Sequence, residues 1–208
     1  SEMCIRDRLI TDRRDLAEVA KLSPDVVISA GFRYIVPPEI LAIPTNGCIN
    51  LHKSYLPYNR GANPNIWTIM DRTPAGVSIH RMDDGIDTGP ILAHSLIKTA
   101  FSDTGKTLYE KLEAAQFELF TEFWPKFKVG GVNEMPQDDG GSSHRTADHK
   151  AIRKIDLDES YLAGDLINRL RAMTFPPFNN CYVEIDGERY FLRIEITKGS
   201  FDSETTDD

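Results

Sequence analysis

The sequence has little cysteine, no clustered metal-binding residues and no long apolar run. These absences argue against a metal or redox site and against a membrane protein. Its 208 residues include three cysteines, Cys4, Cys48 and Cys181, which lie far apart and form no metal-binding or redox motif. This spacing favours a reducing compartment, so we expect a cytoplasmic protein without a bound metal. No apolar stretch is long enough to cross a bilayer and no signal peptide is recognisable, so we expect no membrane association.

Positive charge is also scarce. Lysine and arginine number 24 against 32 aspartates and glutamates, which gives a net charge of −8 at pH 7. A nucleic-acid partner is bound largely through lysine and arginine side chains that contact its phosphates. We therefore expect no nucleic-acid partner. The hydrophobic fraction of 40% and the charged fraction of 27% are ordinary for a globular protein.

Short apolar strands alternate with helical segments in the first part of the chain, which predicts an α/β core. The predicted strands are residues 25–30, 47–51, 75–82 and 91–97. The predicted helices are residues 12–21, 39–43, 63–70 and 107–123. The β-branched run that forms the first of these strands is typical of a buried strand in a parallel sheet. The last helix is predicted to end before Pro125.

The last third of the chain is organised differently. After a glycine-rich polar stretch, which is typical of a linker, a helix is predicted from Asp158 to about Met173. A β-hairpin at residues 181–196 should turn at Asp186-Gly187. The predicted domains are a core at residues 1–130, a linker at 131–150, a small C-terminal unit at 151–200 and an acidic disordered tail at 201–208.

Three polar residues form a candidate acyl-transfer site. Asn50 and His52 point the same way from an extended segment, because strand side chains alternate. Asp87 lies between Gly85 and Gly89, which allow a sharp turn and a close approach to another backbone. An amide can donate to an oxyanion, an imidazole can move a proton and a carboxylate can orient the imidazole. From the residues alone, a chance combination of common residues remains the alternative.

The four other histidines have simpler interpretations. His80 and His94 each lie alone in a predicted strand, so we expect them to be structural or exposed to solvent. His144 and His149 stand beside basic residues in the predicted linker, so we expect them to be solvated.

One stretch of the core resembles the formyltransferases that use 10-formyltetrahydrofolate. The pattern of that family is an Asn-x-His after a strand, a Ser-x-Leu-Pro-x-x-x-Gly loop and a later Asp-Thr-Gly. Here these parts are Asn50 and His52, then SYLPYNRG at residues 54–61, then Asp87-Thr88-Gly89, in the same order. The similarity covers about residues 23–196. It implies a Rossmann-like, mostly parallel sheet followed by a small unit of a helix and a β-hairpin.

The resemblance also implies a mechanism. Asn50 would donate a hydrogen bond to the oxyanion of a tetrahedral intermediate, and Asp87 would orient His52. His52 would take a proton from the attacking amine or, when charged, stabilise the oxyanion. The formyl donor would be 10-formyltetrahydrofolate, and no metal would be needed.

The resemblance further implies an incomplete N-terminus. In the family the equivalent asparagine lies further along the chain, so we expect that a first strand-helix-strand part of the sheet is missing. Residues 1–8 resemble translated adapter sequence, and we expect that they do not belong to the native protein.

Ligand-binding residues follow from the same resemblance. The expected folate-binding residues are Phe32, Arg33, Tyr34, Ile35, Val36, Asp83 and Gly85. The first five lie at the carboxyl end of a strand, where open α/β sheets bind ligands, although a rigid proline-bounded connection is the alternative. The expected substrate-binding residues are Tyr55, Arg60, Gly61, Asn63, Asn168, Arg171 and Phe178. An arginine of the C-terminal unit could pair with a diphosphate and an aromatic ring could stack on a base, but solvated arginines and a packed corner are the alternative.

The C-terminal unit and the net charge favour one acceptor. Residues 168–178 resemble the same region of sugar-nucleotide N-formyltransferases, in which a short hairpin supports the dimer. We therefore expect a homodimer, formed through the C-terminal unit, that formylates the amine of a nucleotide-linked amino sugar. Methionyl-tRNA formyltransferase, which carries a basic C-terminal barrel, is one alternative. A non-catalytic folate- or nucleotide-binding fragment is the other.

Overall fold

The computed structural model describes residues 8–199, which form an α/β fold. The strands are β1 (Val27–Ala30), β2 (Cys48–His52), β3 (Arg60–Gly61), β4 (Gly76–Arg81), β5 (Ile91–Leu96), β6 (Ser143–His144), β7 (Cys181–Ile185) and β8 (Glu188–Leu192). The helices are α1 (Ala17–Leu22), α2 (Pro38–Leu41), α3 (Pro64–Met70), α4 (Gly105–Lys128), α5 (Thr146–Ala151) and α6 (Ala163–Met173). The α/β class expected from the sequence is confirmed. Except for Arg8, the predicted non-native start and the predicted acidic tail lie outside the described residues.

Four strands form the central sheet in the order β1-β2-β4-β5. The parallel arrangement expected from the sequence applies to β1 and β2. β4 pairs antiparallel with β2, and β5 pairs antiparallel with β4. The connection from β4 to β5 is too short for the crossover that parallel neighbours need, which explains why these two strands are antiparallel.

Helix α4 packs its apolar side against the core. It begins with a capping box, in which the side chains of Thr104 and Thr107 each accept a hydrogen bond from the backbone N–H of the other residue. Leu108, Leu112 and Phe123 are buried along the helix. One core cluster joins Phe123 to the sheet residues Ile49, Ile79 and Leu92. A second cluster joins α3, α4 and α6 through Ile66, Ile69, Leu108, Leu112, Ala172 and Met173.

The end of α4 differs from the sequence prediction. The helix continues through Pro125 to Lys128 instead of ending before the proline. A proline removes one helix hydrogen bond, but its fixed φ is compatible with helical backbone. Packing of Phe127 also favours the longer helix, because its ring lies 5.2 Å from that of Phe123 and packs against the sheet cluster.

The C-terminal unit confirms the predicted hairpin. β7 and β8 pair antiparallel around Asp186 and Gly187, whose φ values of 52° and 81° suit a two-residue hairpin turn. Helix α6 begins later than predicted, at Ala163. Asp158 does not cap it, because the N-cap position is Leu162. Asp158 lies in a separate turn, in which its N–H donates to the side chain of Asp156.

The segment predicted as a linker contains regular elements. β6 pairs with β3, which places His144 beside Gly61, and α5 follows. The ring of His144 stacks on Trp67 with 3.9 Å between ring centroids, and its Nε2 lies 2.8 Å from Asp71 Oδ2. The prediction of a solvated His144 is therefore wrong, because strand pairing holds it against α3. His149 is half-buried rather than solvated. The division of the chain into domains stays a prediction.

Within residues 8–199, none of the helices combines the length and the apolar character needed to cross a bilayer.

Candidate active site

The candidate site lies where β2 ends beside β4. The alternation of side chains along β2 places Asn50 and His52 on the same face of the sheet. Register then places His80 of β4 directly opposite Asn50. The pairing of β4 with β5 shifts at this point, because Ile79 pairs with Ala93 and His80 with Ile91, which leaves Leu92 as an extra, bulged residue of β5. Bulges of this kind bend a strand and re-aim a side chain.

Asp87 is the centre of this cluster. Its Oδ1 accepts a hydrogen bond from Asn50 Nδ2 at 3.1 Å and lies 3.3 Å from His80 Nε2. Its Oδ2 accepts a hydrogen bond from the Gly61 N–H at 2.8 Å and lies 3.5 Å from His52 Nδ1. The structure therefore brings together the three residues that the sequence analysis expects to act together, although they come from a strand and a distant loop.

The backbone of Asp87 is held in an unusual conformation. Its φ of 55° lies in the left-handed region, which residues other than glycine adopt uncommonly and at a cost. Gly89 continues the turn close to the carbonyl of Arg81, where a Cβ would collide with that oxygen. The two features turn the Asp87 carboxylate back toward the strands, as the flanking glycines suggest.

Electrostatics keep this carboxylate ionised. Burial raises the pKa of Asp87, but the contact with His80, the nearby His52 and the N–H of Gly61 outweigh it and bring the pKa to about 2. Burial lowers the pKa of His52, and the adjacent Asp87 opposes that effect only in part. The resting site thus pairs an ionised, partly buried carboxylate with a histidine that burial keeps neutral.

The two ring nitrogens of His52 have different surroundings. Nε2 lies 3.0 Å from the carbonyl oxygen of Asn59, which can only accept, so Nε2 carries the proton in the neutral ring. Nδ1 then presents a lone pair toward Asp87. A proton added at Nδ1 would point at the carboxylate, so this nitrogen is the one that can gain a proton with electrostatic support.

His80 is a site residue that sequence reasoning missed. Of the two expectations for His80, structural or exposed to solvent, only exposure is wrong, because only 2% of His80 is exposed and its Nε2 lies 3.2 Å from Asn50 Nδ2. Its Nδ1 lies 2.6 Å from the carbonyl oxygen of Arg81, to which it donates. The residues alone did not signal this role, because the strand register that places His80 opposite Asn50 is not visible in the sequence.

The predicted substrate-binding residues of the loop after β2 divide into two groups. Gly61 contacts Asp87, and Arg60 beside it donates to Gln137. Asn63 has a φ of 56° and occupies the N-cap position just before α3. Tyr55 lies elsewhere, with its ring stacked on His94 at 4.5 Å between centroids.

The predicted folate-binding loop is partly exposed. Ile35 is 77% exposed and Tyr34 is also exposed, whereas Val36 is buried in a cluster with Val19 and Ile40. Met82 packs against the same cluster, so this loop is connected to the start of the Asp87 turn. The remaining predicted residues take part in local contacts: Phe32 meets the ring of Tyr34, Arg33 is exposed, and the side chain of Asp83 accepts from the N–H of Gly85.

The predicted substrate residues of the C-terminal unit do not join the cluster through any described contact. Arg171 donates to the carbonyls of Phe101 and Asp103 and to Asn168 Oδ1, so its guanidinium is used within the protein. Phe178 is 61% exposed and lies beside Phe175.

Within residues 8–199, no group of three or more histidine, cysteine, aspartate or glutamate side chains is arranged to hold a metal ion.

Acidification should remove the stability that Asp87 contributes. Because its pKa of about 2 in the folded protein lies below the ordinary 3.8, this contribution is present above pH 3.8 and is lost as the pH falls toward 2. At about 1.4 kcal/mol per pKa unit, it amounts to roughly 2 kcal/mol. Denaturant unfolding of the wild type and of Asp87→Asn between about pH 5 and pH 2 measures it. The variant should lose less stability over this range, and equal losses would contradict the assignment.

Two protein-family models match parts of this chain. The family described as "Formyl transferase" matches residues 5–123, which contain Asn50, His52 and Asp87. The family described as "N-formyltransferase dimerization C-terminal domain" matches residues 148–198, which contain α6 and the β7–β8 hairpin.

Individual relatives are formyltransferases that carry different names. A methionyl-tRNA formyltransferase from Myxococcus xanthus is 36% identical over 172 residues, which are 82% of this chain and 54% of that protein. The crystal structure of a 4-N formyltransferase from Francisella tularensis has a TM-score of 0.84 and 27% identity, and the match covers 91% of this chain and 77% of that chain.

A further solved structure contains ligands. The formyltransferase PseJ from Anoxybacillus kamchatkensis, in complex with UDP-4,6-dideoxy-4-formamido-L-AltNAc and tetrahydrofolate, is 42% identical with a TM-score of 0.59. That match covers 61% of this chain and 67% of PseJ. The chain spans about half the length of curated relatives that it matches, 54% and 55% for two methionyl-tRNA formyltransferases. Because the first family model matches more than half of its residues, the chain belongs to the formyl transferase family.

Proposed function

We propose that this chain transfers a formyl group from 10-formyltetrahydrofolate to the amine of a nucleotide-linked amino sugar. The observation that carries the proposal is the convergence of Asn50 and His52 on Asp87, in a member of the formyl transferase family. The amine attacks the formyl carbon and forms a tetrahedral intermediate. Its collapse breaks the bond to the folate nitrogen, which takes up a proton, and releases tetrahydrofolate and the formamide.

Each residue of the cluster has a role in this reaction. Asn50 Nδ2 donates to the oxyanion, for which it must exchange its contact with Asp87 or His80. His52 Nδ1 accepts the proton of the attacking amine. Asp87 stabilises the imidazolium that results, because its carboxylate stays ionised and lies beside Nδ1. Burial favours this assignment over a permanently charged His52, since it lowers the pKa of the imidazole.

Folate as the formyl donor is supported by the tetrahydrofolate bound to PseJ. In this chain the exposed Tyr34 and Ile35 are available to contact the folate. Met82 connects their loop to the turn that carries Asp83 and Asp87. We propose that the backbone of this loop and of the Asp83–Gly85 turn forms the folate site, without a metal.

A nucleotide sugar as the acceptor is supported by three observations. The net charge is −8, the C-terminal unit matches an N-formyltransferase dimerization domain, and PseJ was solved with a UDP-linked sugar. Arg60 supplies a positive charge next to the cluster. Formylation of methionyl-tRNA is the second candidate, because the Myxococcus xanthus relative carries that name.

Assembly through the C-terminal unit belongs to the same proposal. Beyond the match to a dimerization domain, the hairpin leaves Ile185, Tyr190 and Phe191 between 45% and 49% exposed. Ile185 and Tyr190 lie on one face of the hairpin and Phe191, paired with Tyr182, lies on the other. Exposed apolar side chains such as Ile185 and Tyr190 are typical of an interaction surface. We propose a homodimer through this hairpin, in the cytoplasm.

Binding measurements separate the two acceptors. A uridine or thymidine diphosphate amino sugar should bind at low salt more tightly than tRNA does, because an acidic chain repels a polyanion. Calorimetry with each ligand at two salt concentrations checks this. Tight, salt-sensitive tRNA binding together with weak nucleotide-sugar binding would overturn the sugar assignment and favour the second candidate.

A further inference from the structure

Gln137 connects two parts of the site from a segment predicted to be a linker. Its Nε2 donates to the backbone carbonyls of Asp87 at 2.9 Å and of Gly89 at 2.7 Å. Its Oε1 accepts from Arg60 Nε at 3.0 Å and from Arg60 Nη2 at 2.8 Å. A glutamine amide has two hydrogens and one oxygen with two lone pairs, so these four contacts use its full capacity.

The contacts on the Nε2 side restrain the strained part of the Asp87 loop. Asp87 has a φ of 55°, and Gly89 passes close to the carbonyl of Arg81. Such a backbone persists only when its surroundings hold it there. Gln137 donates to the carbonyls on both sides of Thr88 and so holds this turn in place. The same turn carries Asp87, whose carboxylate lies beside His52.

The Oε1 atom of Gln137 holds the Arg60 guanidinium in place, but a neutral amide does not cancel its positive charge. Within the described residues, Arg60 donates to Gln137 and to the carbonyl of Asp138, and it contacts no carboxylate. Its neighbour Gly61 donates to Asp87 Oδ2. Gln137 thus couples the orientation of Arg60 to that of the Asp87 loop.

We propose that Gln137 is a positioning residue, which holds the Asp87 turn and the Arg60 guanidinium in one arrangement for formyl transfer. This role rests on the proposed function, because it acts through Asp87. The segment at residues 131–150 then belongs to the working site. Removing the Gln137 amide should let the turn relax and should weaken the contacts that keep the Asp87 carboxylate beside His52.

The test compares Gln137→Met with Gln116→Met. Methionine keeps the length of the side chain but removes both sets of hydrogen bonds. Gln116 is a buried glutamine of α4 whose Nε2 has no partner among the described residues, so it serves as a matched control. NMR titration of the Asp87 carboxyl carbon should give a pKa of about 2 in the wild type and in Gln116→Met. In Gln137→Met the value should move toward the ordinary 3.8.

A second variant isolates the loop. Gln137→Glu keeps an acceptor for Arg60 but replaces the two N–H donors with an oxygen that repels the carbonyls of Asp87 and Gly89. It should raise the Asp87 pKa as well. Turnover should fall roughly 10- to 100-fold in both Gln137 variants, as expected for a misplaced catalytic group. An unchanged Asp87 titration in both variants, or the same change in Gln116→Met, would overturn the proposal.

The two readouts separate this inference from the proposed function. The titration of Asp87 requires no substrate, so it tests the positioning role even if the wild type transfers no formyl group. A wild type without turnover but with the expected titrations would refute the function and leave the structural coupling intact.

Discussion

Asp87→Asn should lower turnover by about 100- to 10,000-fold, the range that general acid–base groups contribute. Asparagine keeps the size of the side chain and one acceptor for the Gly61 N–H, but it cannot stabilise an imidazolium at His52. The variant should still unfold cooperatively, because Asp87 lies in a loop outside the apolar clusters. Steady-state turnover and thermal melting of the same preparation measure both properties.

Asp103→Asn is the matched control for this variant. Asp103 is also a buried carboxylate, which accepts from the Ala100 N–H and pairs with Lys111 at 2.7 Å, but it lies before α4 and not in the cluster. Its replacement should lower the melting temperature and leave turnover near that of the wild type. If Asp87→Asn behaved in this way, Asp87 would be a turn-forming residue without a part in catalysis.

Asn50→Ala should lower turnover on the order of 100- to 1,000-fold, as loss of an oxyanion-binding donor does. The side-chain amide of Asn50 does not titrate, unlike the histidines of the cluster. Its Nδ2 can therefore donate a hydrogen bond to the oxyanion at any pH. Asn65→Ala provides the control, because Asn65 is a buried asparagine whose Nδ2 donates to the Gly105 carbonyl outside the site. That control should lose stability and keep turnover.

Asn50 also donates to Asp87, so the Asn50→Ala substitution could lower turnover by displacing Asp87. The double variant Asn50→Ala/Asp87→Asn distinguishes the two routes. If Asn50 binds the oxyanion directly, the double variant should be slower than Asp87→Asn alone. If Asn50 only positions Asp87, the second substitution should add nothing, since residues that act as one unit are not additive.

The sequence predicts much of the local structure of the site. Strand alternation places Asn50 and His52 on one face, and the glycines around Asp87 indicate the tight loop that carries it. The Asp186-Gly187 turn likewise locates the hairpin. These predictions are correct because they depend on neighbours within a few residues.

What the sequence does not predict depends on contacts between distant segments. His80 joins the cluster through the register of β4 against β2, and a lone histidine in a strand carries no sign of that pairing. Gln137 lies in a polar, glycine-rich segment that has the composition of a linker, yet β6 pairs with β3 and holds the segment on the site. The composition of a segment gives its average polarity, but it does not show that one side chain, Gln137, forms four hydrogen bonds.

Formyl transfer to a nucleotide sugar can be measured with the chain itself. The 208-residue chain is incubated with 10-formyltetrahydrofolate and with uridine and thymidine diphosphate amino sugars, and formamide products are measured by mass spectrometry for the wild type and for Asp87→Asn. The wild type should produce a formylated nucleotide sugar, and the variant should do so at a rate lower by about 100-fold or more. A wild-type chain that unfolds cooperatively and binds the folate, yet formylates none of the sugars, would contradict the proposed function.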